Sequence, residues 1–147
     1  MGAKPGTRRG SDNQKFAIIG RENEMARILL VEDDERVRVL LKDLLESEGY
    51  EIQEASNGKE ALQGFASSLP DLVLTDLVMP DTEGIEMIIK MRKSNPNVKI
   101  IAMSGGEEYL NLAKQLGAVR TLRKPFSNEA VLDVVKATLE ETPRMKQ

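Results

Sequence analysis

The chain has 147 residues, of which 40% are hydrophobic and 31% charged, with a formal net charge of −3. These values predict one soluble domain with a sizeable core and give no reason to expect a nucleic-acid or anionic-membrane partner. The chain contains no Cys and no His, which excludes disulfides, thiol nucleophiles, His-bound zinc and imidazole acid–base catalysis.

The first residues differ in composition from the rest, because 1–14 are rich in Gly, polar and basic residues. We predict a disordered leader or an added tail over 1–24, with a basic docking arm as the alternative. The domain itself is expected over 25–141, followed by a polar tail over 142–147. No run approaches the ~18 apolar residues of a membrane-spanning helix, and no secretory signal is evident, so we expect a cytoplasmic protein with no membrane partner.

Short apolar runs alternate with amphipathic stretches along the expected domain. The apolar runs predict strands at 26–31, 50–55, 72–75, 98–103 and 119–123. The second of them is the most polar and is therefore expected near an edge of the sheet. Five strands alternating with five helices favour a doubly wound α/β sheet with right-handed crossovers.

Each helix is predicted from apolar residues at i, i+3 and i+4 spacing together with start and stop signals. The residues expected to face inward are Val37, Leu40, Leu41, Leu44 and Leu45; Ala61, Leu62 and Phe65; Ile85, Ile88, Ile89 and Met91; Tyr109, Leu112, Ala113 and Leu116; Val131, Leu132, Val134, Val135 and Leu139. The boundary signals are an Asp34 cap, a left-handed Gly49, turns at 57–58 and 81–84, a break at 95–97, a stop at Gly117 and a Ser127 cap.

Functional side chains follow the predicted strands. Glu32 and Asp33 follow the first, Asp76 the third and Lys124 the fifth, while Ser104 ends the fourth. Because ligands collect at the carboxyl ends of parallel strands, we expect these groups at one rim of the sheet. Three close carboxylates repel one another unless a hard cation such as Mg²⁺ neutralises them. A carboxylate nucleophile with a cation and an amine suits formation of an acyl phosphate.

Each of these residues also has an ordinary structural interpretation. The acidic run can cap a helix, Asp76 can belong to a turn, Ser104 can satisfy a backbone group, and Lys124 can lie on the surface before a proline turn. A haloacid-dehalogenase-type phosphatase requires Asp-x-Asp-x-Thr after its first strand, which residues 32–35 do not supply. A dinucleotide-binding domain is disfavoured because no Gly-x-Gly-x-x-Gly follows the first strand.

Taken together, the residues at 28–34, 74–80, 104–105 and 124–126 resemble the receiver domain of bacterial two-component response regulators. The resemblance spans about 25–141. It implies a CheY-like, flavodoxin-like fold with a five-stranded parallel sheet in the order 2-1-3-4-5. It also implies a phosphorelay partner, namely a sensor histidine kinase or a phosphotransfer protein that donates a phosphoryl group from phosphohistidine.

The same resemblance implies roles for individual residues. Asp76 is the implied phosphoacceptor, with Ser104 and Lys124 contacting the phosphoryl group. Mg²⁺ is the implied cofactor, held by Asp33, Asp76 and the backbone carbonyl of Val78, with Glu32 acting through water. A cis bond between residues 124 and 125 is also implied.

The function implied is that of a signalling switch that catalyses only its own phosphorylation and dephosphorylation. Phosphorylation reshapes the face of the fourth helix, fifth strand and fifth helix for a downstream effector, with no direct contact to nucleic acid. The sequence leaves open whether this face also forms a homodimer. The alternative is an interaction module that keeps the fold but signals without phosphate.

Two positions depart from the pattern of the family. Thr121 stands where receivers usually carry the Tyr or Phe that couples to the switch Ser or Thr, and Tyr109 is the candidate substitute for this aromatic. Val78 stands two residues after the expected phosphoacceptor. Because its side chain has no group that can orient water, we predict slow autodephosphorylation.

Overall fold

The structure is a computed structural model in which residues 26–77 and 83–141 are described. Its strands are β1 (Arg27–Val31), β2 (Glu51–Ala55), β3 (Leu72–Asp76), β4 (Ile100–Ser104) and β5 (Arg120–Arg123). Its helices are α1 (Glu35–Glu46), α2 (Gly58–Ser67), α3 (Glu83–Ser94), α4 (Glu107–Gln115) and α5 (Asn128–Glu140). Outside the described residues lie the predictions for the leader 1–24, the start of the domain at residue 25, Val78, the first half of the turn at 81–84 and the tail 142–147.

The strands form one parallel sheet in the order β2-β1-β3-β4-β5, which confirms the predicted doubly wound fold. The polar strand β2 lies at one edge, as its composition predicts. The three inner strands are buried almost throughout, because helices cover both faces of the sheet. Among the described helices, none has the length and apolar character needed to cross a membrane.

Successive side chains along each strand point to opposite faces of the sheet and pack into two separate cores. One core packs against α1 and α5 and includes Leu30, Leu74, Leu41 and Val135. The opposite core packs against α2, α3 and α4. This second core includes Leu29, Val73, Phe65, Met91 and Ala113. Period-two alternation along the strands therefore divides the apolar residues between the two helical layers.

Helix boundaries follow local hydrogen bonding. The Asp34 side chain accepts hydrogen bonds from the backbone N–H groups of Arg36 and Val37, and Ser127 caps α5 through the N–H of Ala130, as predicted. Asn57 caps α2 by accepting from the Glu60 N–H, so the turn predicted there is also a helix start.

Glycines with a left-handed backbone follow two of the helices. Gly49 has φ 94° and Gly117 has φ 112°, conformations that disfavour residues with a Cβ. Both positions match the predicted stop signals, although α1 already ends at Glu46. The peptide bond between Lys124 and Pro125 is cis, as the resemblance implied.

Several local predictions are wrong. Leu40, Ile89 and Leu112 were expected to face inward, but they are 69%, 46% and 37% exposed. Met87, which was not among the expected inward residues, is buried. The turn predicted at 81–84 is wrong at its second half, because α3 already begins at Glu83. In α1, α3 and α4 the apolar stripe is wider than the part of the helix that packs against the sheet, so a flanking position remains in solvent.

Candidate functional site

Parallel pairing brings the strand ends to one rim of the sheet. Val31 is in register with Thr75, so the residue that follows β1 lies beside Asp76 at the end of β3. Asp76 is in turn in register with Met103 on β4. The backbone N–H of Lys124 donates to the carbonyl of Ser104 at 2.9 Å. The elements therefore deliver residues 32–33, 76, 104 and 124 to the same edge.

Three carboxylates meet at this edge. Glu32, Asp33 and Asp76 each offer an oxygen, and these oxygens lie within 4.8 Å of one another. The side chains of Glu32 and Asp76 are only 1% and 9% exposed, whereas Asp33 lies in solvent. Among the described residues, Glu32 is the only charged residue that is fully buried. Burial of charge at this density requires a compensating cation or a proton.

Lys124 supplies a positive charge opposite the carboxylates. Its Nζ lies 2.6 Å from Asp76 Oδ1 and 3.4 Å from Glu32 Oε1. The Lys124 side chain is 31% exposed, so this ion pair remains partly accessible to solvent. One amine thus bridges the carboxylate that follows β1 and the carboxylate at the end of β3.

The electrostatics of the site follow from this packing. Burial raises the pKa of Asp76, and the charge of Asp33 adds to the effect, while the hydrogen bond and charge of Lys124 oppose it. Burial likewise raises the pKa of Glu32, with the charge of Asp76 as the second cause. Burial works against the charge of Lys124, but its hydrogen bond to Asp76 and the two nearby carboxylates outweigh burial, so its pKa is raised.

Glu32 is held by hydrogen bonds on both its side chain and its backbone. Its Oε2 accepts from the N–H of Asp34 at 3.1 Å. Its own N–H donates to the carbonyl of Ala55 at 3.0 Å, and its carbonyl accepts from Arg38 Nη1 at 2.8 Å. The acidic turn after β1 is therefore fixed by α1 on one side and by β2 on the other.

Ser104 is completely buried, and its hydroxyl participates in its own turn. Its Oγ accepts from the N–H of Gly106 at 3.1 Å. Thr121, at the position usually aromatic, is half-buried on β5 and in register with Ala102. Tyr109 packs partly buried against the core beneath α2, α3 and α4. Ser104 thus lies at the correct rim, and its hydroxyl is bonded within the β4–α4 loop.

A pocket of about 190 Å³ adjoins the carboxylates. It is lined by Val31, Glu32, Asp33, Ser56, Asn57, Gly58, Thr75, Asp76, Glu83, Gly84 and Met87. The sequence interpretation missed the contribution of the β2–α2 turn and the start of α3 to this pocket. The sequence did contain a signal for the β2–α2 turn. This turn follows the carboxyl end of a parallel strand, which is where the other site residues also lie.

Gly58 lies where these two segments approach each other closely. A Cβ at this position would lie 2.7 Å from Cγ of Glu83. The glycine therefore allows the start of α2 to approach the start of α3, which closes one wall of the pocket.

The donor atoms present fit a hard divalent cation. The described acidic cluster offers only carboxylate oxygens, and chelation by one or two carboxylates with retained water is typical of Mg²⁺. Thiolate and imidazole ligands, which favour softer metals, are absent from the whole sequence. Val78, whose carbonyl was the fourth expected ligand, lies outside the described residues.

Comparisons with known proteins agree with the fold and show the family. A family model described as the response regulator receiver domain matches residues 28–136. Sporulation initiation phosphotransferase F of Bacillus subtilis is 36% identical over 115 residues, which cover 77% of this chain and 93% of that protein. The chemotaxis protein CheY of Thermotoga maritima is 37% identical over 112 residues, which cover 74% of this chain and 93% of that protein.

A solved structure gives the same result in three dimensions. The response regulator TrrA of Thermotoga maritima, in complex with Mg²⁺-BeF, superposes with a TM-score of 0.71 at 38% sequence identity. The superposition covers 78% of this chain and 99% of that one.

Proposed function

The chain belongs to the response regulator receiver domain family, and we propose that it accepts a phosphoryl group on Asp76 in a Mg²⁺-dependent reaction. Members of this family are signalling modules of two-component systems. The proposed donor is a phosphohistidine on a sensor histidine kinase or a phosphotransfer protein, and the proposed location of this chain is the cytoplasm. The proposed output is a changed α4-β5-α5 face that binds an effector.

The observation that carries this proposal is the contact between Lys124 and Asp76. The 2.6 Å ion pair holds one carboxylate oxygen of Asp76 beside an amine at a rim lined with acidic residues. In the proposed reaction, an oxygen of Asp76 attacks the phosphorus atom and the phosphorus–nitrogen bond of the donor breaks, leaving its electron pair on the imidazole. Lys124 then shifts to an oxygen of the phosphoryl group.

Mg²⁺ bound by Asp33 and Asp76, with Glu32 acting through water, would neutralise charge on the phosphoryl oxygens. The carbonyl of Val78 is the proposed protein ligand that completes this set. The complex of the Thermotoga maritima regulator with Mg²⁺-BeF supports the proposal, since that protein is similar in sequence and fold. The all-oxygen donor set of this chain is the supporting observation on its own residues.

Ser104 is the proposed link between phosphorylation and the output face. A phosphoryl group adds about −1.5 to −2 charges and three acceptor oxygens. The Ser104 hydroxyl now accepts from the N–H of Gly106 and would donate its own hydrogen to a phosphoryl oxygen; the movement of Ser104 towards that oxygen would carry the loop that leads into α4 with it. Because Thr121 cannot act as a rotating aromatic ring, we propose that this loop carries the switch alone. The phosphate-independent interaction module is not favoured, because the acidic groups and Lys124 lie together.

Phosphorylation by a small-molecule donor tests the proposal. Wild-type protein and the Asp76→Asn variant are incubated with acetyl phosphate and Mg²⁺, and intact mass is measured before and after hydroxylamine treatment. Asp133→Asn, an exposed position on α5, is the matched control. We expect one hydroxylamine-sensitive phosphoryl group on the wild type and the control, and none on Asp76→Asn or when Mg²⁺ is chelated. An unmodified wild type, or equal modification of Asp76→Asn, refutes the proposal.

A further inference from the structure

We propose that Arg38 is a positioning residue that sets the affinity of the rim for Mg²⁺ by fixing the peptide between Glu32 and Asp33. The inference rests on the proposed function, because it concerns the same cation. Arg38 lies on α1 and its side chain is only 17% exposed. It does not belong to the acidic cluster itself.

The hydrogen bond from Arg38 acts on the backbone of the acidic turn. Its Nη1 donates to the carbonyl oxygen of Glu32 at 2.8 Å. That oxygen belongs to the planar peptide unit that leads into Asp33, so holding it fixes the orientation of the unit. Asp33 is exposed, so few packing contacts fix its side chain. The orientation of that side chain therefore depends on the orientation of this peptide plane.

The same guanidinium is anchored to the edge of the sheet. Arg38 Nε donates to Glu54 Oε1 at 3.2 Å, and Glu54 lies on β2 in register with Leu30. The rigid fork of a guanidinium can make both contacts at once, which a lysine amine cannot do in the same geometry. Two contacts therefore tie Glu32 to β2. Its N–H donates to the carbonyl of Ala55, and its carbonyl accepts from Arg38, which Glu54 holds in place.

Glu54 also matters for the charge near the cation site. The carboxylate compensates the positive charge of Arg38 beside the acidic turn. Without it, the charge of the arginine would oppose binding of a cation at the rim. Loss of Glu54 is therefore expected to weaken Mg²⁺ binding through both looser positioning and uncompensated charge.

A second arginine–glutamate pair also involves the edge strand β2, but it joins β2 to β1 and lies away from the site. Arg27 Nε lies 3.6 Å from Glu51 Oε1, and the two residues are in register at the opposite end of β1 and β2. The pair at the far end serves as a matched control, because its removal takes an arginine–glutamate contact from the same edge strand without touching the acidic turn.

The experiment measures the dissociation constant for Mg²⁺ by isothermal titration calorimetry and thermal unfolding in EDTA. The variants are Arg38→Met, Arg38→Lys and Glu54→Gln, with Arg27→Met and Glu51→Gln as controls. Changes around metal ligands commonly weaken affinity by about 10- to 100-fold. We expect Arg38→Met to weaken Mg²⁺ binding about tenfold, Arg38→Lys to restore it only in part, and both controls to keep wild-type affinity. Phosphorylation by acetyl phosphate should require more Mg²⁺ in Arg38→Met but reach the wild-type maximal rate.

Wild-type affinity in Arg38→Met, or equal weakening in Arg38→Met and Arg27→Met, overturns the inference while leaving the proposed function intact. A wild type that binds no Mg²⁺ refutes the proposed function itself. If Arg38→Met does not fold, the comparison of Glu54→Gln with Glu51→Gln decides the question, because both keep the arginine side chains and differ only in position.

Discussion

Replacement of Lys124 by Met separates the electrostatic role of the amine from the packing of its stem. The substitution removes the positive charge that Glu32 and Asp76 both contact. The side chains of these two residues are only 1% and 9% exposed. Removing one partner of a buried ion pair costs about 3–5 kcal/mol. Since the Lys124 side chain is 31% exposed, solvent screening reduces this value, and we expect the free energy of unfolding to fall by about 2 kcal/mol near neutral pH without Mg²⁺.

The loss should depend on pH in a defined direction. The pKa values of Glu32 and Asp76 are already raised, mainly by burial, and Lys124 lowers both, so its removal raises them further. A carboxyl with a raised pKa in the folded state contributes stability below its ordinary pKa of about 4 and loses it as the pH rises through the raised value. The deficit of Lys124→Met should therefore be largest near neutral pH and shrink as the pH falls towards about 4.

Urea unfolding monitored by circular dichroism, at about pH 4.5 and about pH 7.5, measures this difference. Lys136→Met, on the exposed face of α5, is the control and should remain near wild-type stability at both values. Saturating Mg²⁺ should reduce the deficit of Lys124→Met at the higher pH, because the cation replaces the missing charge. Equal deficits at both pH values, or wild-type stability near neutral pH without Mg²⁺, would refute the reasoning.

Three further predictions concern a helix cap, a turn and the lifetime of the phosphorylated state. Asn57→Ala removes the hydrogen bond to the N–H of Glu60 and should lower the free energy of unfolding by about 1 kcal/mol in urea unfolding; an unchanged midpoint would contradict the cap. Gly117→Ala should lower it by about 1–2 kcal/mol, because φ is 112° and the new Cβ would lie 2.7 Å from Nε of Arg92; wild-type stability would show that the turn adapts freely. With Val78 at its position, the phosphorylated form should decay over minutes in a mass-spectrometric time course, and decay within seconds would contradict the prediction.

The sheet and its rim could be predicted because the signals are local. Apolar runs such as 72–75 identify buried strands, and each is followed within one or two residues by a side chain with a chemical function. Once the strands are parallel, their ends must meet, so local patterns at distant positions predict one shared edge. The resemblance to receivers added the order of the strands, which the structure confirms.

Burial within the helices was harder to predict. Periodicity shows which face of a helix is apolar, but it does not show how much of that face packs against the sheet. Leu40 and Ile89 continue the stripes of α1 and α3, yet they lie beyond the contact with the sheet. On α3, Met87 is buried instead of Ile89, and it lines the pocket beside the acidic rim. The outcome depends on how each helix is rolled against the sheet, which is a tertiary property.

The contacts around the acidic turn were also beyond the reach of the sequence. Arg38 and Glu54 are 16 residues apart and lie on elements whose charges look like ordinary surface groups. Only the packing of α1 against the edge strand shows that the arginine reaches the carbonyl of Glu32. The role of Gly58 at the wall of the pocket likewise depends on the approach of α3, which no local pattern encodes.

A calorimetric titration of Mg²⁺ into the wild type and the Asp33→Asn variant tests the central claim most directly. Asp33 is exposed, and without Mg²⁺ its charge adds to the repulsion at the rim, so its replacement should not lower the thermal stability in EDTA while it removes one carboxylate from the cluster. Our account predicts saturable binding of one cation by the wild type and a large loss of affinity in the variant. Absence of binding to the wild type, or equal affinity in the two proteins, would contradict it.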